Sequence, residues 1–267
     1  MPKPTVIPFQ QAVERLQGKV LVPSPLRSAE WEGVPLAIRE RSLWSSGIEK
    51  IRVLDSMRTK LLQAVKPDGT GPFMDRSKFV ADMRRELGAI ADGTKGSLED
   101  ISSIRRLQLI YDFQVEDANS YGRWKMEQDP ELLDEYPCQE FLRVESRIKE
   151  RLDWVARWQA AGGQLYDGRM IARKDDPVWI KLSRFGRPWP PFDYGSGMGI
   201  EDIHRSEAED MGVIAKGEKI TPAEEGFNKE LKASTAGLSP QARELLADFF
   251  GDRVNLSGDT ASLEDVA

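Results

Sequence analysis

Four aspartates, Asp167, Asp175, Asp176 and Asp193, crowd one short stretch of the chain. A facing pair of carboxylates is the equipment of acid–base glycoside hydrolysis, so they are the first candidates for chemistry. Two of them also have a structural reading. Asp167 and Gly168 sit between "QLY" and "RMIA" as the signature of a tight hairpin turn. Asp176 before Pro177 reads as a helix N-cap with proline at the first helical position. His204, in "GIEDIHRSEAED", stands among acids that favour its charged form, and no nucleophile or second base accompanies it at a recognisable spacing. Cys138 follows Pro137 at the start of a predicted strand and reads as a small buried hydrophobe.

Composition narrows the chemistry further. One cysteine and one histidine exclude an intramolecular disulfide, a cysteine-rich zinc site and an ordinary histidine zinc site. Carboxylate catalysis, or an oxygen-ligated magnesium or calcium ion, survives that test. "GSGMG" (195–199) follows prolines and Asp193 and matches neither a P-loop nor a dinucleotide loop. "RMIARK" and "SSIRRLQ" are short basic clusters that read as solvated faces, and Trp154, Trp158, Trp179 and Trp189 read as core rather than as base-stacking platforms. No catalytic residue, cofactor or metal is expected.

The elements that must position these residues come next. The 267 residues suffice for one large domain or two small ones, 40% of them hydrophobic and 31% charged, as in a soluble globular protein. No apolar run approaches the roughly 20 residues that span a membrane, and the N-terminus lacks a secretory pattern, so cytoplasmic synthesis is expected. The net charge of −6 is uneven, because 201–267 carry 15 acidic against 7 basic side chains. The nearly balanced body argues against strong sequence-independent DNA binding.

The expected class is α+β: a helical N-terminal half (1–130), a small α+β module (131–215) and a weakly ordered acidic tail with one short helix (216–267). Helices are predicted from Pro8, over 36–65, over 75–91 and over 98–127, the last capped by Ser97 and Asp100. Prolines 23, 25 and 35 interrupt an irregular arm, and "KPDGTGP" and "DGTKGS" separate helices. In the module, a strand over 138–146, a helix in "RIKERLDWVARWQAAGG", the 167–168 hairpin, a helical turn from Asp176 and a short helix in "SEAEDMGVI" are predicted. The tail offers a helix over 239–251, and "NLSGDTASLEDVA" is expected to lack fixed structure.

Taken in order, "PFQQAVERLQGKVLVPS", "LWSSGIEKIRVLDSMRTKLLQAV", "RxxxIYDFQVEDANSYGRW" from Arg106, "YDGRMIARKDDPVW" and "RPWPPFDYGSGMGIED" resemble the phage head-morphogenesis, Mu F-like minor capsid family. The resemblance covers roughly residues 8–215 and is a distributed pattern. It implies a structural, non-enzymatic protein of a tailed phage or prophage head. Such a protein is made in the bacterial cytoplasm and placed in the virion near the portal, where it supports genome packaging or delivery. The implied partner is the portal protein, with the major capsid or scaffolding protein as further candidates, DNA as a weaker one, and no membrane. Many relatives follow the Pro-Pro segment with a Trp-x-Cys-x-Cys run paired with earlier cysteines and a histidine; this chain has none there.

The marker residues of the resemblance are Asp167, Gly168, Asp176, Pro177, Trp179, Pro190, Pro191, Gly195 and Gly197. The corner they frame is expected to be held by packing of Trp179, Trp189, Phe192 and Tyr194. Candidate docking residues are Trp44, Ile48, Ile51, Arg106, Tyr111, Tyr121 and Trp124. The acidic tail is expected to keep the protein soluble before assembly, or to keep it off DNA until the capsid is complete. The competing readings are a DNA-contacting protein ejected with the genome, using "RMIARK" and the tryptophans, and a carboxylate-dependent hydrolase or transferase using Asp175, Asp176 or Asp193.

Overall fold

The computed structural model describes residues 10–24, 31, 34, 39–40, 42–65, 74–88, 100–147, 150–223, 232–234, 240, 243–244, 247–248 and 254–263. Pro25, Pro35, Ser97, the 66–72 segment and the 92–97 segment lie outside them. The fold is mixed α+β with a helical N-terminal half. Among the described residues no helix is long and apolar enough to cross a membrane. The chain divides into two compact units, one of Met1–Pro8, Val13–Gln114 and Glu224–Ala267, the other of Phe9–Ala12 and Val115–Ala223.

α1 (Gln10–Gln17), whose residues from Val13 on belong to the first unit, leads into β1 (Val20–Leu21), which pairs in parallel with β2 (Ser42–Leu43). The helix expected over 36–65 is therefore interrupted: among the described residues Arg39 and Glu40 are helical, Ser42–Leu43 are strand, and α2 (Ile51–Val65) follows. The stretch 42–50 is taken by the β1–β2 pairing and by a turn in which Gly47 adopts φ +72°, a left-handed value that ordinary side chains resist. Val53, Leu54, Met57, Leu61 and Val65 of α2 are buried at helical spacing.

The next helix, α3 (Arg76–Glu86), starts at Asp75, whose carboxylate accepts the Lys78 N–H at 2.8 Å, and stops before Gly88 at φ +72°. The long helix α4 (Ile104–Met126) begins later than the expected residue 98. Its N-cap contact comes from Ser103, whose Oγ accepts the Arg106 N–H at 3.2 Å, while Asp100 closes a separate turn on Ser102 N at 2.9 Å.

The tail carries more structure than its polarity predicts. Strand β7 (Lys232–Ser234) pairs antiparallel with β9 (Thr260–Leu263), which pairs with β8 (Val254–Ser257). Gly258 and Asp259 form the two-residue loop of that hairpin, Gly258 at φ +56°. Of the helix expected over 239–251, the described residues Pro240, Arg243, Glu244, Ala247 and Asp248 are helical.

The second unit is built around a sheet in the order β4-β5-β3-β6. Here β3 is Cys138–Arg143, β4 Leu165–Tyr166, β5 Arg169–Arg173 and β6 Met198–Ile203. β3 is central and antiparallel to both neighbours, with Gln139 opposite Ala172 on one side and Asp202 on the other. Alternation then sends Phe141, Ala172 and Met198 to one face and Cys138, Ile171 and Ile203 to the other. Around the sheet lie α5 (Pro130–Glu135), α6 (Trp154–Ala160), α7 (Val178–Leu182) and α8 (Arg205–Asp210). The helix expected from residue 147 forms only as α6, because residues 150–153 are non-helical and Arg151 reaches the corner described below.

Candidate functional site

Asp167 and Gly168 connect β4 to β5 with φ of 49° and 80°, the pair of left-handed residues that a two-residue type I′ turn demands. Two residues past β5, Asp175 accepts Arg173 Nη2 at 2.7 Å. Asp176 Oδ1 accepts the Val178 N–H at 2.7 Å, and Pro177 is the N-cap residue of α7, so the helix starts one residue later than the sequence predicts. Three of the four candidate carboxylates are thus accounted for by turn, ion pair and cap.

The fourth, Asp193, is the anchor of the proline corner. Its side chain is buried and meets three guanidinium groups: Arg151 at 2.5 Å, Arg157 at 3.2 Å and Arg184 at 3.6 Å. Arg157 also lies 4.0 Å over the Trp154 ring, and Arg151 donates to the Tyr194 carbonyl at 3.0 Å. A carboxylate so surrounded is fixed in place by three guanidinium partners, which suits a structural tie better than a group that must exchange protons with a substrate.

Aromatic packing completes the corner. Trp158, Trp179, Trp189 and Phe192 are fully buried. Each indole N–H is satisfied: Trp158 donates to Gln164 O at 2.7 Å, Trp179 to Arg173 O at 2.7 Å and Trp189 to Asp117 Oδ1 at 3.0 Å. Phe192 and Trp179 belong to the same cluster as Phe141 and Met198. Pro190 and Pro191, joined by a cis peptide, are buried beside Trp189. Tyr194 differs from expectation: it is exposed, with its ring against Phe185 and Arg184, because its neighbour Asp193 takes the inward position.

"GSGMG" is not a single turn. Gly195 and Gly197 have φ of 55° and 69°, but Met198 and Gly199 already belong to β6, opposite Arg143 and Leu142. A Cβ on Gly197 would lie 2.4 Å from the Glu145 carbonyl oxygen. The Ser196 O accepts Arg143 Nη1 at 3.2 Å, and Gly197 O accepts the N–H groups of Val144 and Glu145. Backbone hydrogen bonds and close glycine approach do the fastening here.

His204 caps α8, its Nδ1 accepting the Ser206 N–H at 3.2 Å, with Tyr136 edge-on to the ring. Cys138 is fully buried, and burial pushes its thiol up to about 12, so it stays a neutral thiol at physiological pH. The basic residues of "RMIARK" are engaged by acids. Arg169 reaches Glu140 and Glu207, each at 2.6 Å, and these bonds raise its pKa further above its ordinary value. Arg173 reaches Asp175 and also Glu218 at 2.5 Å, and buried Lys174 lies between Asp202 at 2.8 Å and Glu127 at 3.3 Å. Among the described residues no three His, Cys, Asp or Glu side chains are grouped to hold a metal ion.

The candidate docking residues scatter. Ile48 is buried; Ile51 is 58% exposed. Arg106 is buried, donating to Ser45 Oγ at 2.7 Å and to Ser46 O, and burial lowers its pKa. Tyr111 donates to Met74 O at 2.8 Å and packs on Phe79. Tyr121 and Trp124 pack against Trp189 at centroid distances of 5.1 and 5.0 Å, so both serve the corner. Trp44 stacks on Trp31 at 4.6 Å.

One group was not anticipated. Asp117 of α4, fully buried, accepts both Arg187 Nη1 at 2.9 Å and the Trp189 indole. Its signal is a polar residue within the stripe Leu107, Gln114, Asp117, Ala118, Tyr121 and Trp124, since a carboxylate on a buried helix face demands a partner.

Beside the end of β3 an open groove of about 350 Å³ is floored by Leu142, Trp154, Met170 and Met198 and edged by Arg143 and Arg169. Leu152, 90% exposed, and Val155, 43% exposed, also line it. The Trp154 indole N–H is buried there with no acceptor among the described residues.

No family model, no curated protein and no solved structure matches this chain. The resemblance to the Mu F-like family rests on the residues quoted above.

Proposed function

We propose that the protein is a minor head protein of a tailed phage or prophage that binds the portal vertex and supports genome packaging or delivery. It works by binding rather than by catalysis. The observation that carries this reading is the division of labour in the second unit. Its chemistry-bearing side chains, Asp167, Asp175, Asp176, Asp193 and His204, are engaged as turn, cap or ion-pair groups, while Leu152 and Val155 present apolar surface beside an open groove. Exposed large apolar side chains at the rim of a rigid scaffold are what a protein partner buries. The order of motifs from "PFQQAVERL" to "YGSGMGIED" supports the family assignment. Acid partners on Arg169, Arg173 and Lys174 favour a protein partner over a nucleic-acid backbone.

The test is co-expression with the portal protein of the same phage or prophage, followed by affinity capture. The expected result is stoichiometric co-purification that survives moderate salt. Portal rings recovered free of this protein would overturn the reading.

A further inference from the structure

We propose that the groove beside the end of β3 receives an extended segment of a partner protein. That segment lays a large aliphatic side chain on the groove floor and sets an aspartate or glutamate against Arg151 and Arg157. That a partner comes to this surface rests on the assembly reading above; the chemistry of the segment is read from the groove itself.

The floor calls for the aliphatic side chain. Leu142, Met170 and Met198 lie there with Trp154, and Leu152 and Val155 stand at the rim, 90% and 43% exposed. A leucine so exposed leaves water only when something apolar is laid over it. Methionine side chains adapt to the shape they meet, which suits a floor that must take an aliphatic group. At about 350 Å³ the groove lies near the small end of ligand sites, so it fits side chains of an extended segment rather than a folded surface.

The cations call for the carboxylate. Both acids that line the groove are already paired, Glu140 with Arg169 at 2.6 Å and Glu150 with Arg143 at 3.5 Å, so their charge is offset locally. Arg151 lines the groove, and Arg157 lies 4.0 Å over the Trp154 ring that forms part of its floor. These two share one carboxylate, Asp193, and reach the same oxygen, Oδ2, at 2.5 and 3.2 Å. Two guanidinium charges against one carboxylate leave a positive surplus at this end of the groove, and Arg184 draws on the same carboxylate at 3.6 Å. The Arg151 and Arg157 side chains are 40% and 29% exposed. Water already reaches them, and an outside carboxylate replaces that water with charge-assisted hydrogen bonds. A nucleic-acid backbone would need cations spaced along the groove, whereas the surplus sits at one end.

The segment's backbone has a bond to make as well. The Trp154 indole N–H is buried at the groove without an acceptor among the described residues, whereas the indoles of Trp158, Trp179 and Trp189 each donate. A peptide carbonyl on the groove floor supplies the acceptor that the fold does not, and a buried donor left unmet is costly.

The test is selection from a random peptide library displayed on phage, against the immobilised full chain. The enriched sequences are expected to share Leu, Ile or Met close to an Asp or Glu. A fluorescein-labelled peptide of that pattern is then titrated by anisotropy. Leu152→Asp removes the aliphatic contact and adds a like charge, and is expected to weaken binding about tenfold or more; Leu152→Lys, which keeps the charge attraction, should weaken it only about threefold. At 90% exposure both Leu152 variants should melt as the parent does. Arg151→Gln should weaken binding and flatten its decline with salt. A library that yields no shared pattern, or a basic one, would overturn the proposal, as would equal binding by the two Leu152 variants. Displacement of the peptide by a single-stranded oligonucleotide would assign the groove to nucleic acid and overturn it too. If such peptides bind while portal rings do not, the groove assignment stands and the portal reading falls; portal capture untouched by Leu152→Asp would do the reverse.

Discussion

Arg187 and Asp117 form an ion pair of 2.9 Å with side-chain exposures of 1% and 0%. The carboxylate lies on α4 and the guanidinium in the segment leading to the proline corner, so a single buried pair ties the corner to the long helix. The Trp189 indole donates to the same oxygen, which accounts for the lone pairs that solvent would otherwise fill.

Removing one partner should therefore be far worse than removing both. Asp117→Ala strands a buried guanidinium and is expected to cost about 3–5 kcal/mol in urea denaturation. The double change Asp117→Leu with Arg187→Met leaves no stranded charge and should recover most of that loss. A double variant as unstable as the single one would contradict the pairing.

Asp193 should behave as a multivalent tie. Asp193→Asn removes the charge that three arginines share, but those arginines are 29–44% exposed and water screens part of the interaction. A loss of about 1–2 kcal/mol is expected, shrinking at high salt. Denaturation midpoints measured at low and at molar salt check both the size and the trend.

The two glycines of the corner separate conformation from space. Gly195→Ala meets only the left-handed backbone penalty, about 1–2 kcal/mol, since nothing lies near its Cβ. Gly197→Ala adds a 2.4 Å approach to the Glu145 carbonyl and should be clearly the more destabilising of the two. Equal melting temperatures would refute the close approach.

Cys138 supplies an alkaline signature. Its folded thiol titrates near 12 rather than 9, raised mainly by burial. A raised pKa stabilises the fold fully below the unfolded value and loses that contribution as pH rises through the folded one. Stability should thus fall from about pH 9 towards 12, with a limiting slope of about 1.4 kcal/mol per unit from this one group. Denaturation of Cys138→Ala and the parent at pH 8 and pH 10 should show the smaller loss in the variant. The native thiol should also resist alkylation until the protein unfolds.

Leu152 gives a readout for the groove. At 90% exposure, Leu152→Asp should leave the melting temperature unchanged yet weaken portal capture severalfold. Unimpaired capture would exclude the groove as the contact surface.

Local chemistry was legible wherever one residue's own backbone demanded it. The Asp167-Gly168 turn and the Asp176-Pro177 helix start follow from positive φ and from an N–H that needs an acceptor. The Ser257–Thr260 hairpin carried the same kind of sign in Gly258-Asp259, but its polar surroundings masked it. Helix limits were less legible. The residues before Ile51 are drawn into a parallel pairing with Val20 and Leu21, and no local pattern announces that partner.

By itself, then, the sequence determined the α+β class, the Asp167-Gly168 turn, the helix start near Asp176-Pro177 and the absence of a histidine or cysteine set for nucleophilic or zinc chemistry, because these depend on residue identity and short-range geometry. Only the tertiary structure decided that Asp193 belongs to Arg151, Arg157 and Arg184, that Asp117 belongs to Arg187, and that Ala261 is buried with Val22 and Val34. A charge can be read from the chain, but its partner is chosen by burial, which brings together groups far apart in sequence and leaves them no water to turn to.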